Sequence, residues 1–319
     1  MMVVRGLKLS TKLRCVERER IVVQKSLFSN VDVEIKKFVY EVTEWKLVVQ
    51  HDYELTYLDS GTKVKVIGVD SRTVCAGEIL CSVIKRGDEI RVVVHRELCK
   101  RSATKHRFCS VHSRGEYSSY IGYVFGLRNE VPSTGLAMIP HLVYAMHAGL
   151  NNVKVGIANM LKNVTRLFEQ IFLYATILTI TEDVHKARSL ELRLSSISGV
   201  VDRMRVSDRI RALMRALERR DYELKRFVSI LLRMIDAING GYEGGGKDYI
   251  PILTLVDEHL DFRRVNKVVE NWRQVREGVY VIAKYVVGGI VLENVVNNEA
   301  LYIPYASIRD RVLPLTPIQ

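Results

Sequence analysis

The sequence predicts an α/β protein whose core opens with an antiparallel three-strand meander and is interrupted by a helical insertion. Three observations lead there. Three β-branched runs, Val64–Asp70, Ala76–Lys85 and Glu89–Glu97, follow one another closely, and Arg86-Gly87-Asp88 joins the last two as a hairpin loop. From Ser207 to Ile238 an apolar stripe recurs at helical spacing through an arginine-rich segment. Strand-like runs then return at Tyr249–Val256, Val279–Val287, Gly289–Val295 and Leu301–Tyr305.

Taken in order, residues 1–62 mix short β-like pieces with one helical candidate, Val31–Val49, in which Val31, Ile35, Phe38, Val42 and Trp45 share a helical face. This region is expected to pack on a core formed by residues 63–319. Leu98–Glu116 has no hydrophobic period, and its Lys, Arg, His, Ser and Cys residues read as an exposed basic loop. A helix is expected over Tyr117–Arg128, stopped by Val131-Pro132, with a short strand over Gly135–Ile139. The insertion, residues 140–241, is read as two helices. They are Val153–Thr181 and Ser207–Ile238, the latter with Ser207 as N-cap and Asn239-Gly240-Gly241 as its stop. Gly240–Lys247 reads as a connector. Its spacing mimics a phosphate loop, yet Asp248 stands where Ser or Thr would hold magnesium, and the order is helix-loop-strand. A last helix is expected over Arg263–Glu277.

Composition narrows the class. With 319 residues, 48% hydrophobic and 26% charged, the chain can bury a sizeable core. Its 48 Lys and Arg against 36 Asp and Glu leave a formal charge of +12, which suits a polyanionic partner such as nucleic acid. Five cysteines is an odd number, and no secretory pattern precedes them, so a cytoplasmic protein is expected. The most apolar run, Ile171–Ile180, is too short to cross a bilayer and reads as a buried helix segment, leaving no membrane partner.

Two strands running into acids, at Asp70 and Asp257, suggest metal-dependent phosphodiester cleavage. Two divalent ions must be held by several carboxylates so that one activates water and the other stabilises the leaving oxygen. Magnesium or manganese prefers oxygen ligands. Asp70 is the first candidate ligand, Asp257 the second, Glu116 or Glu130 a third, and His259 or Asp261 would orient the water. The competing reading makes Asp70 and Asp257 turn residues and the glutamates solvated helix-end charges. Arg72, Lys100, Arg101, Lys105, Arg107 and Arg114 would guide a phosphate backbone. Arg211, Arg215 and Arg219 would join them unless they form a solvated helix face.

The run Val66-Ile-Gly-Val-Asp70-Ser71-Arg72 followed by a hairpin over Ala76–Glu97 resembles the opening of RNase H-like nucleases. With Tyr249-Ile-Pro-Ile-Leu-Thr-Leu-Val-Asp-Glu-His259, it is most similar to the archaeal NurA nucleases of DNA end resection. The resemblance implies an RNase H-like mixed sheet and a manganese-dependent activity on DNA, with single-strand endonuclease and 5′ to 3′ exonuclease action. It also implies a homodimer beside a hexameric DNA-translocating ATPase. Ser71 replaces the glycine usual after the first aspartate, and Gly135–Pro140 brings no acid where a second strand would end in one. Either the second ligand has moved to Asp257 or the chain is an inactive relative.

Cys99, His106, Cys109 and His112 lie close together in the sequence, but their spacing is not that of a common zinc finger, and they read as incidental to the basic loop. Arg101 and His106 match a pattern of some metal-independent ribonucleases. Tyr117, Tyr120 and Tyr123 fit either a helix core or base stacking. His141 and His147 read as packed or helix-surface residues. A non-catalytic nucleic-acid-binding or scaffold protein is the alternative to the nuclease.

Overall fold

The computed structural model describes residues 2–26, 29–67, 72–86, 89–104, 106–149, 153–161, 165–201, 205–239, 249–313 and 315–318. The chain begins with two long strands, β1 (Met2–Ser26) and β2 (Ser29–His51), paired antiparallel along their whole length, and β3 (Glu54–Asp59) returns along β2. β4 (Lys63–Val66), β5 (Glu78–Arg86) and β6 (Glu89–Glu97) follow, then α1 (Glu116–Val124) and α2 (Gly135–Met138). The middle of the chain forms β7 (His141–His147), β8 (Val153–Asn159), α3 (Thr165–Phe168), β9 (Tyr174–Thr181), α4 (Val184–Ser195) and β10 (Val200–Val201). Two helices, α5 (Val206–Leu217) and α6 (Arg220–Asn239), precede β11 (Ile250–Leu255) and β12 (Lys267–Val268). The last segment holds β13 (Gly278–Val286), β14 (Gly289–Asn294), β15 (Ala300–Pro304), α7 (Tyr305–Ile308), β16 (Val312–Leu313) and β17 (Leu315–Pro317).

These strands form mixed sheets, so the α/β class holds. The largest sheet runs β10-β8-β7-β9-β11-β2-β1-β16, with β3 added to β2; β10 lies parallel to β8 and β11 parallel to β2. A second sheet runs β12-β15-β14-β13-β4-β17, and β5 pairs with β6 alone. Helices α4 and α6 cover the first sheet, α4 against β7 and β8, α6 against β1 and β9. Every residue of β7 is buried, the mark of a strand covered on both faces. No helix among the described residues is long and apolar enough to cross a membrane.

Several expected elements are corrected. The three-strand meander does not form, because β4 pairs with β13 and β17 while β5 and β6 stand apart. Val64 and Val66 alternate inward onto the second sheet, whereas β5 turns its apolar side to α1 and α2. Val31–Val49 is strand β2, not a helix. A spacing of four is also an even number, so Val31 and Ile35 share a strand face as readily as a helix face, and the intervening Asp32 and Glu34 alternate with Val33. The insertion is not helical throughout, since residues 153–181 give β8, α3 and β9, and the Ile171–Ile180 run ends in a strand. The Ser207–Ile238 segment is helical but breaks into α5 and α6, with Arg205 and not Ser207 at the first N-cap. Gly135–Ile139 contributes helix α2, and the last expected helix is reduced to β12 and the 3-10 turn Trp272–Gln274. The expected α1 and the strands β13, β14 and β15 stand where the sequence put them.

A small second core lies beneath the β5–β6 hairpin, built from Cys75, Cys81, Cys99, Phe108, Cys109, Tyr117, Tyr120, Tyr123, Leu136 and neighbours. Its elements are tied by polar contacts across the chain. The Glu78 carboxylate on β5 accepts the Tyr117 backbone N–H at 2.6 Å, capping α1 from outside the helix. Gly135 opens α2 directly against β5, where a Cβ would lie 1.5 Å from the Cys81 carbonyl oxygen.

Candidate metal centre and cationic cleft

Cys75 precedes β5, Cys99 follows β6, and Cys109 and His112 sit on the loop that leads to α1. Their ligand atoms lie within 4.8 Å of one another, the one group of three or more metal-ligating side chains among the described residues. The His112 Nδ1 is 3.4 Å from the Cys75 Sγ and 3.3 Å from the Cys109 Sγ. Cys99, Cys109 and His112 were singled out by sequence, but the fourth member is Cys75. His106 is exposed with a φ of 45° and stays outside. Cys99, Cys109 and His112 are thus neighbours in space, and Cys75 takes the place expected for His106. Nothing in the local spacing marks Cys75, because the whole hairpin separates it from Cys99.

Backbone geometry shapes this cluster. The Cys75 N–H donates to the Arg101 carbonyl and the Ala76 N–H to the Arg107 carbonyl, both at 2.8 Å, which lays the two cysteine-bearing segments side by side. The Gly77 N–H donates to the Cys75 sulfur at 3.4 Å. Gly77 has a φ of +77°, and a Cβ there would fall 2.1 Å from the Glu97 carbonyl oxygen, so this turn requires glycine. Burial pushes the Cys75 thiol up to about 12. At Cys109 burial also acts upward, but hydrogen bonds from the His112 backbone and ring and from Cys75 bring the thiol down to about 6. One thiolate is thus already favoured beside its neighbours.

Beside this cluster two cavities share a wall. The first, about 500 Å³, has Arg96, Arg107, Lys154, Arg166, Arg188 and Arg309 in its lining, with Tyr117, Tyr120, Phe125 and Tyr144 as its aromatic part. The second, about 450 Å³, shares Arg107, Lys154, Arg166 and Arg309 and adds Arg209, Arg311 and Tyr305. Glu191 and Glu169 are the acids in these linings, held by Arg188 and Arg166 respectively. Two buried polar atoms lack a hydrogen-bond partner here, the Tyr305 hydroxyl and the Arg309 Nε. The Arg209 guanidinium has its pKa lowered, first by burial and then by the neighbouring Arg166. Such a cleft stores positive potential in partly desolvated surroundings, which favours an anionic ligand.

Among the described residues the remaining sequence candidates do not converge. Asp70 and Lys105 lie outside the described residues, as does the glycine-rich connector. The strands that lead to the two acids are not neighbours: β4 belongs to the second sheet and β11 to the first. Asp257 sits on a 3-10 turn with its side chain 77% exposed, paired with Arg220 at 2.6 Å. His259 is turned inward. Its Nε2 accepts the Val42 N–H at 3.0 Å, and burial lowers its pKa, so it is a neutral structural acceptor. Asp261 is occupied by Arg263 at 2.9 Å, Glu116 is exposed at the start of α1, and Glu130 is exposed in a loop.

Of the described basic candidates, Arg107 is the one that lines these two cavities. Arg72, Arg101, Arg114 and Arg215 are exposed. Lys100 lies 3.5 Å from Asp52 and over the Tyr53 ring, Arg211 pairs with Asp208, and Arg219 lies 3.9 Å from Glu223. Tyr117, Tyr120 and Tyr123 are buried, and Tyr120 exchanges a hydrogen bond with His141 at 2.8 Å. His141 and His147 are fully buried strand residues. Sequence reasoning missed Arg96, Lys154, Arg166, Arg188, Arg209, Arg309 and Arg311 as a group, since they come from β6, β8, α3, α4, α5 and the C-terminal segment. The chain matches no family model, no curated protein and no solved structure with which it was compared.

Proposed function

We propose that the protein binds single-stranded nucleic acid in this cleft, with phosphates against the arginines and a base against the tyrosines and Phe125. The observation that carries the reading is the wall of Arg107, Phe125, Lys154, Arg166 and Arg309 shared by two cavities that each combine cationic with aromatic side chains. Stacking on aromatic faces and backbone neutralisation are together what sequence-tolerant single-strand binding needs. Tyr305 Oη and Arg309 Nε, the latter 3.9 Å from the Asp310 carboxylate, make no hydrogen bond and are donors that a phosphate oxygen would satisfy.

The test is fluorescence anisotropy of short labelled DNA and RNA single strands across a salt series. Binding should weaken steeply with salt, and Lys154→Ala and Arg209→Met should each lower the slope of log affinity against log salt by about 1. Unchanged affinity and slope in both variants would refute the cleft as the binding surface.

Cleavage through a manganese or magnesium pair is a second reading, which rests on the strand-like run that leads into Asp70 in the sequence. Among the described residues the other expected ligands, Asp257 and Glu116, form no metal-ligating group, so the reading rests on Asp70. If it is right, Asp70→Asn abolishes manganese-dependent cleavage of single-stranded DNA while binding persists. Equal cleavage by the variant rules it out.

A further inference from the structure

We infer that Cys75, Cys99, Cys109 and His112 bind one zinc ion tetrahedrally, through three thiolates and the His112 Nδ1, as a closed structural site. This inference is independent of what the cleft binds.

Distances and donor chemistry carry it. Zn–S and Zn–N bonds of about 2.3 and 2.0–2.1 Å place a sulfur and a nitrogen ligand about 3.6 Å apart across a tetrahedron. The two sulfur-to-Nδ1 separations, 3.4 and 3.3 Å, sit close to that value, and all four ligand atoms are mutually within 4.8 Å. Three soft sulfurs with one imidazole select zinc over oxygen-seeking magnesium or manganese. All five cysteines are free, so no disulfide explains the cluster, and a disulfide would leave a third thiol and the imidazole beside it without a role.

The surroundings fit the same ion. The His112 Nε2 lies 3.5 Å from the Glu97 carboxylate, the outer partner that fixes the ring so that Nδ1 faces the metal. The Gly77 N–H already points at the Cys75 sulfur, and the Arg5 guanidinium holds the Cys99 carbonyl at 2.6 Å. The three cysteines are buried and His112 is nearly so, leaving no open position for a substrate; the ion is structural. On binding, the thiols still protonated release their protons to solvent and no electron is transferred. Zinc would pin the β5–β6 hairpin to the loop carrying Arg107, joining elements that share only a small apolar core.

The test is metal analysis of the full chain purified without chelator. A single zinc per chain is expected, and cobalt in its place should give the intense visible absorption of a tetrahedral thiolate site. Cys99→Ser and His112→Ala should fall to the background of the assay, whereas Cys15→Ser and Cys81→Ser should keep the metal. Glu97→Gln should weaken zinc binding about tenfold. Because ligand variants can unfold, two further measurements are included. His112→Cys should retain zinc with a stronger sulfur-to-cobalt band, and in the Cys15→Ser chain a mercurial reagent should release zinc as the buried thiols react. A chain that takes up no zinc, an oxidised cysteine pair within the cluster, or zinc held equally by Cys99→Ser and His112→Ala overturns the site.

Discussion

Arg5 and Asp310 meet at 3.0 Å although 305 residues separate them, and both side chains are almost wholly buried. The same guanidinium reaches the Gln50 side chain and the Cys99 carbonyl, and the same carboxylate takes Arg107 at its other oxygen. One ion-pair network therefore ties β1, the C-terminal segment, the cysteine cluster and the cleft.

Asp310→Asn is expected to destabilise the protein by about 3–5 kcal/mol, since it leaves Arg5 charged and buried without its counter-ion. Urea denaturation at neutral pH measures this.

The same carboxylate predicts an acid limb. Burial would raise the Asp310 pKa, but Arg107, Arg309 and Arg5 override it and the pKa is lowered. Its stabilisation is therefore fully present above the unfolded value of about 3.9 and is lost as pH falls through the lower folded value. Stability of the wild type should decline below about pH 4 more steeply than that of Asp310→Asn. Parallel acid limbs would show that other carboxylates dominate.

Burial, and after it the neighbouring Arg166, disfavours the charge on Arg209 and lowers its pKa. Arg209→Met should raise stability by about 1 kcal/mol while lowering polyanion affinity, the trade-off common at binding sites. Thermal unfolding without ligand, beside the binding assay, separates the two effects.

His147 and Glu223 form a buried pair at 2.8 Å beneath α6, with the imidazole stacked on Phe227. His147→Phe alone should cost about 3 kcal/mol by stranding the carboxylate, whereas His147→Phe with Glu223→Leu should fall within about 1 kcal/mol of wild type. A double-mutant cycle by denaturant unfolding checks the coupling.

Gly77→Ala should destabilise the chain by about 2 kcal/mol, because a left-handed φ and a contact with the Glu97 carbonyl both oppose a Cβ. A stability equal to wild type would show that the turn can adopt another conformation.

The α/β class, the arginine-rich helical segment and the C-terminal strands were legible because each is local. Ile210, Leu213, Leu224, Leu231 and Met234 bury as the helical period demands, and β13 to β15 follow their β-branched runs. By contrast β2 is ambiguous in the sequence, since the spacing of four from Val31 to Ile35 and from Phe38 to Val42 fits both periods and only pairing with β1 decides between them. The meander failed for a related reason: neither Val64 nor Ile79 carries information about which strand it will pair with.

The sequence by itself determined a basic chain with alternating helical and β-branched segments, and it brought Cys99, Cys109 and His112 within one short stretch. Only the tertiary structure decided that Cys75 completes that group, that Asp257 and His259 serve an exposed ion pair and a backbone hydrogen bond, and that basic side chains from β6, the Arg107 loop, β8, α3, α4, α5 and the C-terminal segment line one cleft. The physical reason is that periodicity reports the face a residue presents, whereas ligand sets and fields of charge depend on distances through space. Those distances were set here by a hairpin closing over a loop and by Asp310 folding back onto Arg5.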